Sequence, residues 1–215
     1  MSEQPHELRR QFHQRLDDID AKVVRLFALV TESVAAATDT LLAGDTEAAR
    51  QVTQQDCLVD QLEAELEEVT EYELLTQTPM AGDMRFLVSV LRVVPELERS
   101  GDLAEHIAQR AAAGLALRLT PVLRGLLEQM GGICSNMWRL AADAWIERDG
   151  SAHADLDSAD DQLDLLQERL VRELERADIS LPDALQTTLL ARFYERLGDH
   201  AVHISARIRY LVHGG

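Results

Sequence analysis

Four pairs of acidic residues recur at a spacing of four: Asp56 with Asp60, Glu98 with Asp102, Asp157 with Asp161, and Glu195 with Asp199. On a helix this spacing puts both carboxylates on one side, roughly 40° apart. Hard multivalent cations take oxygen ligands of this kind, and bundles build such sites from facing helices. The plainer reading is a solvated acidic face, because 38 acids among 215 residues produce such pairs by chance. Like charges so placed cost an isolated helix a few tenths of a kcal/mol, about 0.2–0.5. Their recurrence beside apolar stripes therefore asks for a reason. Glu98 and Asp102 border the stripe Leu87, Val90, Val94, Leu97, Gly101 and Ala104.

The neighbours of these acids carry two readings each. Gly101 and Gly198 sit inside helical stretches, where glycine costs roughly 1 kcal/mol relative to alanine. A close helix–helix approach explains them most simply, and a ligand approaching the backbone is the alternative. Arg99 and Arg196 are either solvated ion-pair partners or clamps on a ligating carboxylate. His106 and His203, one turn beyond Asp102 and Asp199, are polar border residues or extensions of the ligand row; His200 occurs in one half only. Met130, Met137, Trp138 and Trp145 read as core.

Helical periodicity runs almost end to end and predicts six long helices. They span about 7–43, 45–77, 80–117, 121–148, 152–176 and 183–212. Gly44, Thr78-Pro79, Thr120-Pro121, Asp149-Gly150 and the segment 177–182 punctuate them, and Pro95 should kink the third. The halves repeat. ERSGDLAEHIAQR at 98–110 and ERLGDHAVHISAR at 195–207 share eight of thirteen positions, offset by 97 residues. A weaker echo, Asp56-CLV-Asp60-QL-Glu63 against Asp157-SAD-Asp161-QL-Asp164, is offset by 101, which implies an indel of about four residues between the two elements. A duplicated three-helix unit explains both echoes, so the expected fold is all-α: two tandem, sequence-related three-helix bundles over 1–116 and 117–215.

The formal charge is −17. That argues against nucleic acid and anionic lipid as direct ligands and favours cations and basic proteins. No segment reads as a signal peptide or a membrane span. Cys57 and Cys134 read as buried or half-buried thiols in a reducing compartment. A cytoplasmic location is expected. No GxGxxG, P-loop, GxSxG or HExxH motif is present, and Glu-x-x-His occurs only at Glu3–His6, so no enzyme is expected.

The duplicated E-R-x-G-D-x-A-x-x-I element, the earlier D-x3-D-x-L-E/D element and the segment Pro79-M-A-Gly82-Asp83-M-Arg85 together resemble the PhoU family across nearly the whole chain. The resemblance implies two three-helix bundles and a negative regulator of phosphate uptake and of the phosphate-starvation response. Such a regulator bridges the phosphate transporter ATPase and a membrane sensor histidine kinase, which would hold it at the inner face of the membrane through these partners. It implies a metal site at Asp56, Asp60, Glu98 and Asp102, and a second at Asp157, Asp161, Glu195 and Asp199. Iron, zinc, manganese, magnesium and calcium are the candidate ions. A homodimer is expected. His106 and His203 stand where the family usually has asparagine, and the second half lacks the Asp-x-Arg of Asp83 and Arg85. The competing readings are a metal-binding or storage protein without a signalling role, and a structural adaptor whose acids only solubilise it.

Overall fold

The computed structural model describes residues 3–53 and 56–214. It is all-α, with no strand among the described residues. In chain order the elements are α1 (Glu3–Ala43), α2 (Thr46–Thr53), α3 (Asp56–Thr76), α4 (Ala81–Ala112), a 3₁₀ turn (Leu115–Arg118), α5 (Pro121–Glu147), α6 (Ala152–Leu174) and α7 (Leu181–His213). The single helix expected over 45–77 is described as α2 and α3, on either side of residues 54 and 55, which lie outside the described residues.

Local chemistry sets the ends. Gly44, with φ of +68°, stops α1 in the left-handed region that glycine reaches without a Cβ clash. Gly114, with φ of +67°, stops α4 before residue 117, short of the expected end. Arg118 then donates from Nη1 to the carbonyls of Ala113 and Gly114, and Leu115 and Ala116 anchor the 3₁₀ turn in the core. At the start of α5, Thr120 Oγ1 accepts the Leu123 N–H at 3.3 Å, with Pro121 in the first turn. Ser180 caps α7 in the same way through Asp183 N–H at 3.2 Å. Pro95 lies inside α4, which continues through it.

Helices α1, α4, α5 and α7 form a central four-helix layer, in which α1 packs on α4 and α5, and α7 packs on α4 and α5. Helix α3 covers the α1–α4 pair, and α6 covers the α5–α7 pair. One hydrophobic core runs through both halves, with Trp138, Trp145, Tyr194, Phe27 and Leu97 among its largest fully buried side chains. By length and composition α1 passes as a membrane span, contrary to the sequence expectation. Its apolar residues Val23, Leu26, Val30, Val34, Ala37 and Leu41 are nevertheless all buried in this core.

Polar contacts pin the halves together. Asp20 on α1 accepts Trp145 Nε1 at 2.8 Å and Arg148 Nη2 at 2.7 Å from the end of α5. A Cβ on Gly131 of α5 would collide with the Thr38 side chain of α1, so glycine sets the α1–α5 spacing there. Cys134 is buried and donates to the Tyr194 carbonyl at 3.1 Å. Cys57 is exposed, contrary to expectation, because Val59 and not Cys57 turns inward at the start of α3.

Candidate functional site

Helix α3 carries Asp60, Glu63 and Glu67 at positions i, i+3 and i+7, each one residue past the buried Val59, Leu62 and Leu66. Helix α4 carries Glu98 and Asp102, each one residue past the buried Leu97 and Gly101. The α3–α4 packing that buries the first set of residues brings the second set together along its border. One ligand oxygen from each of Asp60, Glu98 and Asp102 lies within 4.8 Å of the others, the only such trio of His, Cys, Asp or Glu among the described residues. Partial burial, then Asp102, Glu63 and Asp60, raise Glu98 from its ordinary 4.5 to about 7, with Arg99 opposing. Burial raises Glu63 and Asp102 too, helped by Glu67 in the first case and by Asp60 in both.

The second half repeats the arrangement between α6 and α7. Burial, then Asp199, Asp164, Glu195 and Asp157, raise Asp160 from 3.8 to about 6. Glu195 is 8% exposed and is raised by burial and Asp199. Arg192, one turn earlier on α7, ion-pairs with its Oε1 and opposes that shift. Two oxygens here, Asp160 Oδ1 and Glu195 Oε2, are buried without a hydrogen-bond partner. Gly198 sits beneath Asp160: a Cβ there would run into Asp160 Oδ1 and stand 2.7 Å from Leu163 Cδ1. The close-packing reading of that glycine therefore holds.

These contacts correct the register of the internal repeat. Asp60, Glu63 and Glu67 match Asp157, Asp160 and Asp164 at the same offset of 97 that relates Glu98 and Asp102 to Glu195 and Asp199. Buried Val59 and Leu66 correspondingly match buried Leu156 and Leu163. No indel separates middle and last helices at this point; the echo offset by 101 had slipped by about one helical turn. The extra residues of the first half lie before α3, where α2 has no counterpart ahead of α6.

Of the eight expected ligands, Asp60, Glu98 and Asp102 converge in the first half. Asp157, Glu195 and Asp199 surround Asp160 in the second. Asp161 is exposed and is not among the acids acting on Asp160 or Glu195. Asp56 opens α3, and its side chain lies outside the described residues. Sequence reasoning missed Glu63, Asp160 and Asp164, although the offset of 97 applied to the middle helices would have found them.

The histidines behave differently from one another. His106 lies tilted against Phe193 with ring centroids 5.5 Å apart, and it partly opposes the rise in the Asp102 pKa. His203 Nδ1 lies 4.0 Å from Glu96 Oε2. His200 is buried, with Nδ1 3.0 Å from Ser100 Oγ and 3.5 Å from Glu96 Oε2, and burial lowers its pKa. Asp83 and Asp183 both stand in the first turn of a helix but bond differently. Asp83 accepts the Met80 N–H at 3.4 Å, while Asp183 binds Ser180 Oγ and Arg118 Nε.

The donor atoms gathered here are carboxylate oxygens. Clustered carboxylates at raised pKa with orphaned buried oxygens suit a hard multivalent cation, which would neutralise their repulsion and occupy the unpaired lone pairs. A family model described as PhoU domain matches residues 23–111 and 127–208. A relative from Mycobacterium tuberculosis named as a phosphate-specific transport system accessory protein, PhoU homolog 2, is 29% identical over 96% of this chain and 99% of its own. The crystal structure of PhoU from Pseudomonas aeruginosa matches with a TM-score of 0.89 at 28% identity, over 95% of this chain and 100% of that one. The phosphate transport system regulatory protein PhoU from Streptococcus pneumoniae matches with a TM-score of 0.83 at 25% identity, over 95% and 98%. These are names of accessory and regulatory proteins, not of enzymes. The chain belongs to the PhoU family.

Proposed function

We propose that this PhoU-family protein is a cytoplasmic, non-enzymatic regulator that restrains phosphate uptake and the phosphate-starvation response. The relatives named as accessory or regulatory proteins of phosphate transport support the role in that system. The finer reading is an adaptor that touches the transporter ATPase and a sensor histidine kinase, with multivalent metal at its two acidic clusters. One observation supports the metal part: an oxygen from each of Asp60, Glu98 and Asp102 lies within 4.8 Å of the others, and the equivalent place in the second half gathers Asp160, Glu195 and Asp199. Acidic groups clustered against one another in this way mark a candidate functional site. Asp60, Glu98 and Asp102 would hold one ion; Asp160, Glu195 and Asp199, with Asp157 and Asp164 beside them, would hold the other. A bound ion supplies positive charge that draws α3 onto α4 and α6 onto α7, and so stiffens the outer faces available to partners. The homodimer belongs to the same reading, and sizing in solution tests it.

The functional test is repression of a phosphate-starvation reporter in a deletion strain grown in high phosphate. Wild type should restore repression, and a variant carrying Glu98→Ala, Asp102→Ala, Glu195→Ala and Asp199→Ala should not. Normal repression in the deletion strain itself would overturn the regulatory reading. Full repression by the folded variant would overturn only the part given to the carboxylates. Metal analysis of protein purified without chelator separates metal from a purely electrostatic role.

A further inference from the structure

We propose that the basic hollow where α4 crosses α7 binds a multiply charged tetrahedral oxyanion of the phosphate type. The hollow holds about 500 Å³ and is lined by Arg92, Glu96, His203, Ala206, Arg207 and Arg209. Three arginines lining one hollow run against a chain with 38 acids and 21 basic residues. None of the three makes an ion pair or hydrogen bond among the described residues. Some exposed arginines elsewhere pair with acids, as Arg118 does with Asp183 and Arg50 with Glu47, and others, such as Arg25 and Arg169, pair with none among the described residues; what sets the hollow apart is that three arginines line it together. The one acid in the hollow, Glu96, stands 3.5 Å from Arg99, 3.5 Å from His200 and 4.0 Å from His203.

The repeat supplies a second, independent observation. Helices α4 and α7 cross antiparallel, with Ser100 against His200 and His106 against Phe193. In that register Arg92 lies across from Arg207. The offset of 97 turns this pair into Leu189 and Arg110 at the opposite end of the crossing. There Arg110 lies 4.6 Å over the Phe193 ring and donates to the His106 carbonyl at 2.7 Å, so its charge has a place. At the Arg92 end Leu189 is replaced by a second arginine and Phe193 by Glu96, so Arg92 and Arg207 line one hollow beside a single carboxylate. An anion held between them would offset the repulsion of their like charges.

Guanidinium donors in a fork select anions with several oxygens. A carboxylate brings two oxygens and one charge. A phosphoryl group brings three or four oxygens and up to two charges, which matches three arginines approaching from two helices. The overall charge of −17 does not prevent this, because screening limits the reach of distant acids to about 8 Å at physiological salt. The same chemistry is offered by free inorganic phosphate and by the phosphates of a nucleotide.

Equilibrium dialysis of the full chain against radiolabelled inorganic phosphate, and separately against labelled ATP, tests the proposal. EDTA is present throughout and chloride keeps ionic strength constant, so metal at the acidic clusters contributes nothing. Saturable binding is expected, weakened about tenfold or more by Arg92→Gln with Arg207→Gln. Arg172→Gln removes an exposed arginine from α6 and should leave binding unchanged. Saturation by phosphate assigns the hollow to the free ion, and saturation by ATP alone assigns it to a nucleotide. Absence of saturable binding of either, or an equal loss in the Arg172 variant, overturns the proposal.

Discussion

Glu98→Gln should stabilise the protein when no metal is bound. The Glu98 carboxyl sits half-buried among Asp60, Glu63 and Asp102, and its pKa is about 7 against an ordinary 4.5. A raised carboxyl pKa means the native state holds its proton more tightly than the unfolded chain. Stability therefore falls as pH rises from about 4.5 to about 7, and the whole penalty is present above that window. The displacement corresponds to at most about 3 kcal/mol. Solvent screening of a half-exposed group reduces this to about 1–2 kcal/mol. Glutamine keeps the size and removes the charge, so it should recover that amount at about pH 8 and nothing near pH 4, where the wild-type carboxyl is already neutral. Urea unfolding with EDTA, followed by circular dichroism at both pH values, reads the difference directly. A variant less stable than wild type at pH 8, or equally stabilised at both pH values, would refute the electrostatic account of this cluster. Adding a cation that binds should reverse the order, because only the wild type gains the full stabilisation of bound ligand.

Four further outcomes follow from the same geometry. Gly198→Ala should cost about 1–2 kcal/mol in urea unfolding, since its Cβ meets Asp160 and Leu163, whereas Gly132→Ala, with nothing within 4 Å, should gain about 0.5–1 kcal/mol from helix propensity. Asp20→Ala should cost about 2–3 kcal/mol in the same assay, because Trp145 Nε1 loses its acceptor and Arg148 its ion-pair partner. Cation binding, followed by calorimetry, should weaken between pH 7 and pH 5, where Glu98 and then Asp160 take up protons. A thiol reagent should label Cys57 in the native protein and reach the buried Cys134, whose pKa burial raises, only on unfolding.

Most of the fold was legible because its signals are local. Helical periodicity, Thr120-Pro121 and the glycine at 44 each act within a turn of where they stand. The end of α4 was not legible. The apolar run through Leu117 favoured continuing the helix, and only the left-handed Gly114 and the core contacts of Leu115 and Ala116 turn it into a 3₁₀ step. The last helices align at the offset of 97 read from the sequence, because Gly101 and Gly198 mark that register. The middle helices were read one turn out of place. A run as acidic as Asp157, Asp160, Asp161 and Asp164 offers several i,i+4 pairings, and only packing against α7 decides which side chains face Glu195 and Asp199. Apolar positions carry that information: aligning Val59 with Leu156 and Leu66 with Leu163 selects Asp160 and rejects Asp161.

The two clusters share a register but not a charge balance, and this difference follows from single residues. In the first, Arg99 lies 3.5 Å from Glu96 and opposes the shift of Glu98 without an ion pair to Asp60, Glu98 or Asp102. In the second, Arg192 pairs with Glu195 directly, supplying part of the positive charge that a cation would bring. The position matching Arg192 in the first half is Pro95, which has no charge to offer. Among the described residues the first cluster therefore has no arginine ion-paired to one of its own carboxylates, whereas the second has Arg192. A cation entering the second must compete with Arg192 for Glu195 Oε1, although the unpartnered Oε2 remains open to it. Duplication thus supplies two similar outer faces, while one arginine in place of a proline makes their demand for a counter-ion unequal. On the adaptor reading proposed above, faces with unequal demand for a cation would respond at different ion concentrations, which two identical faces would not do.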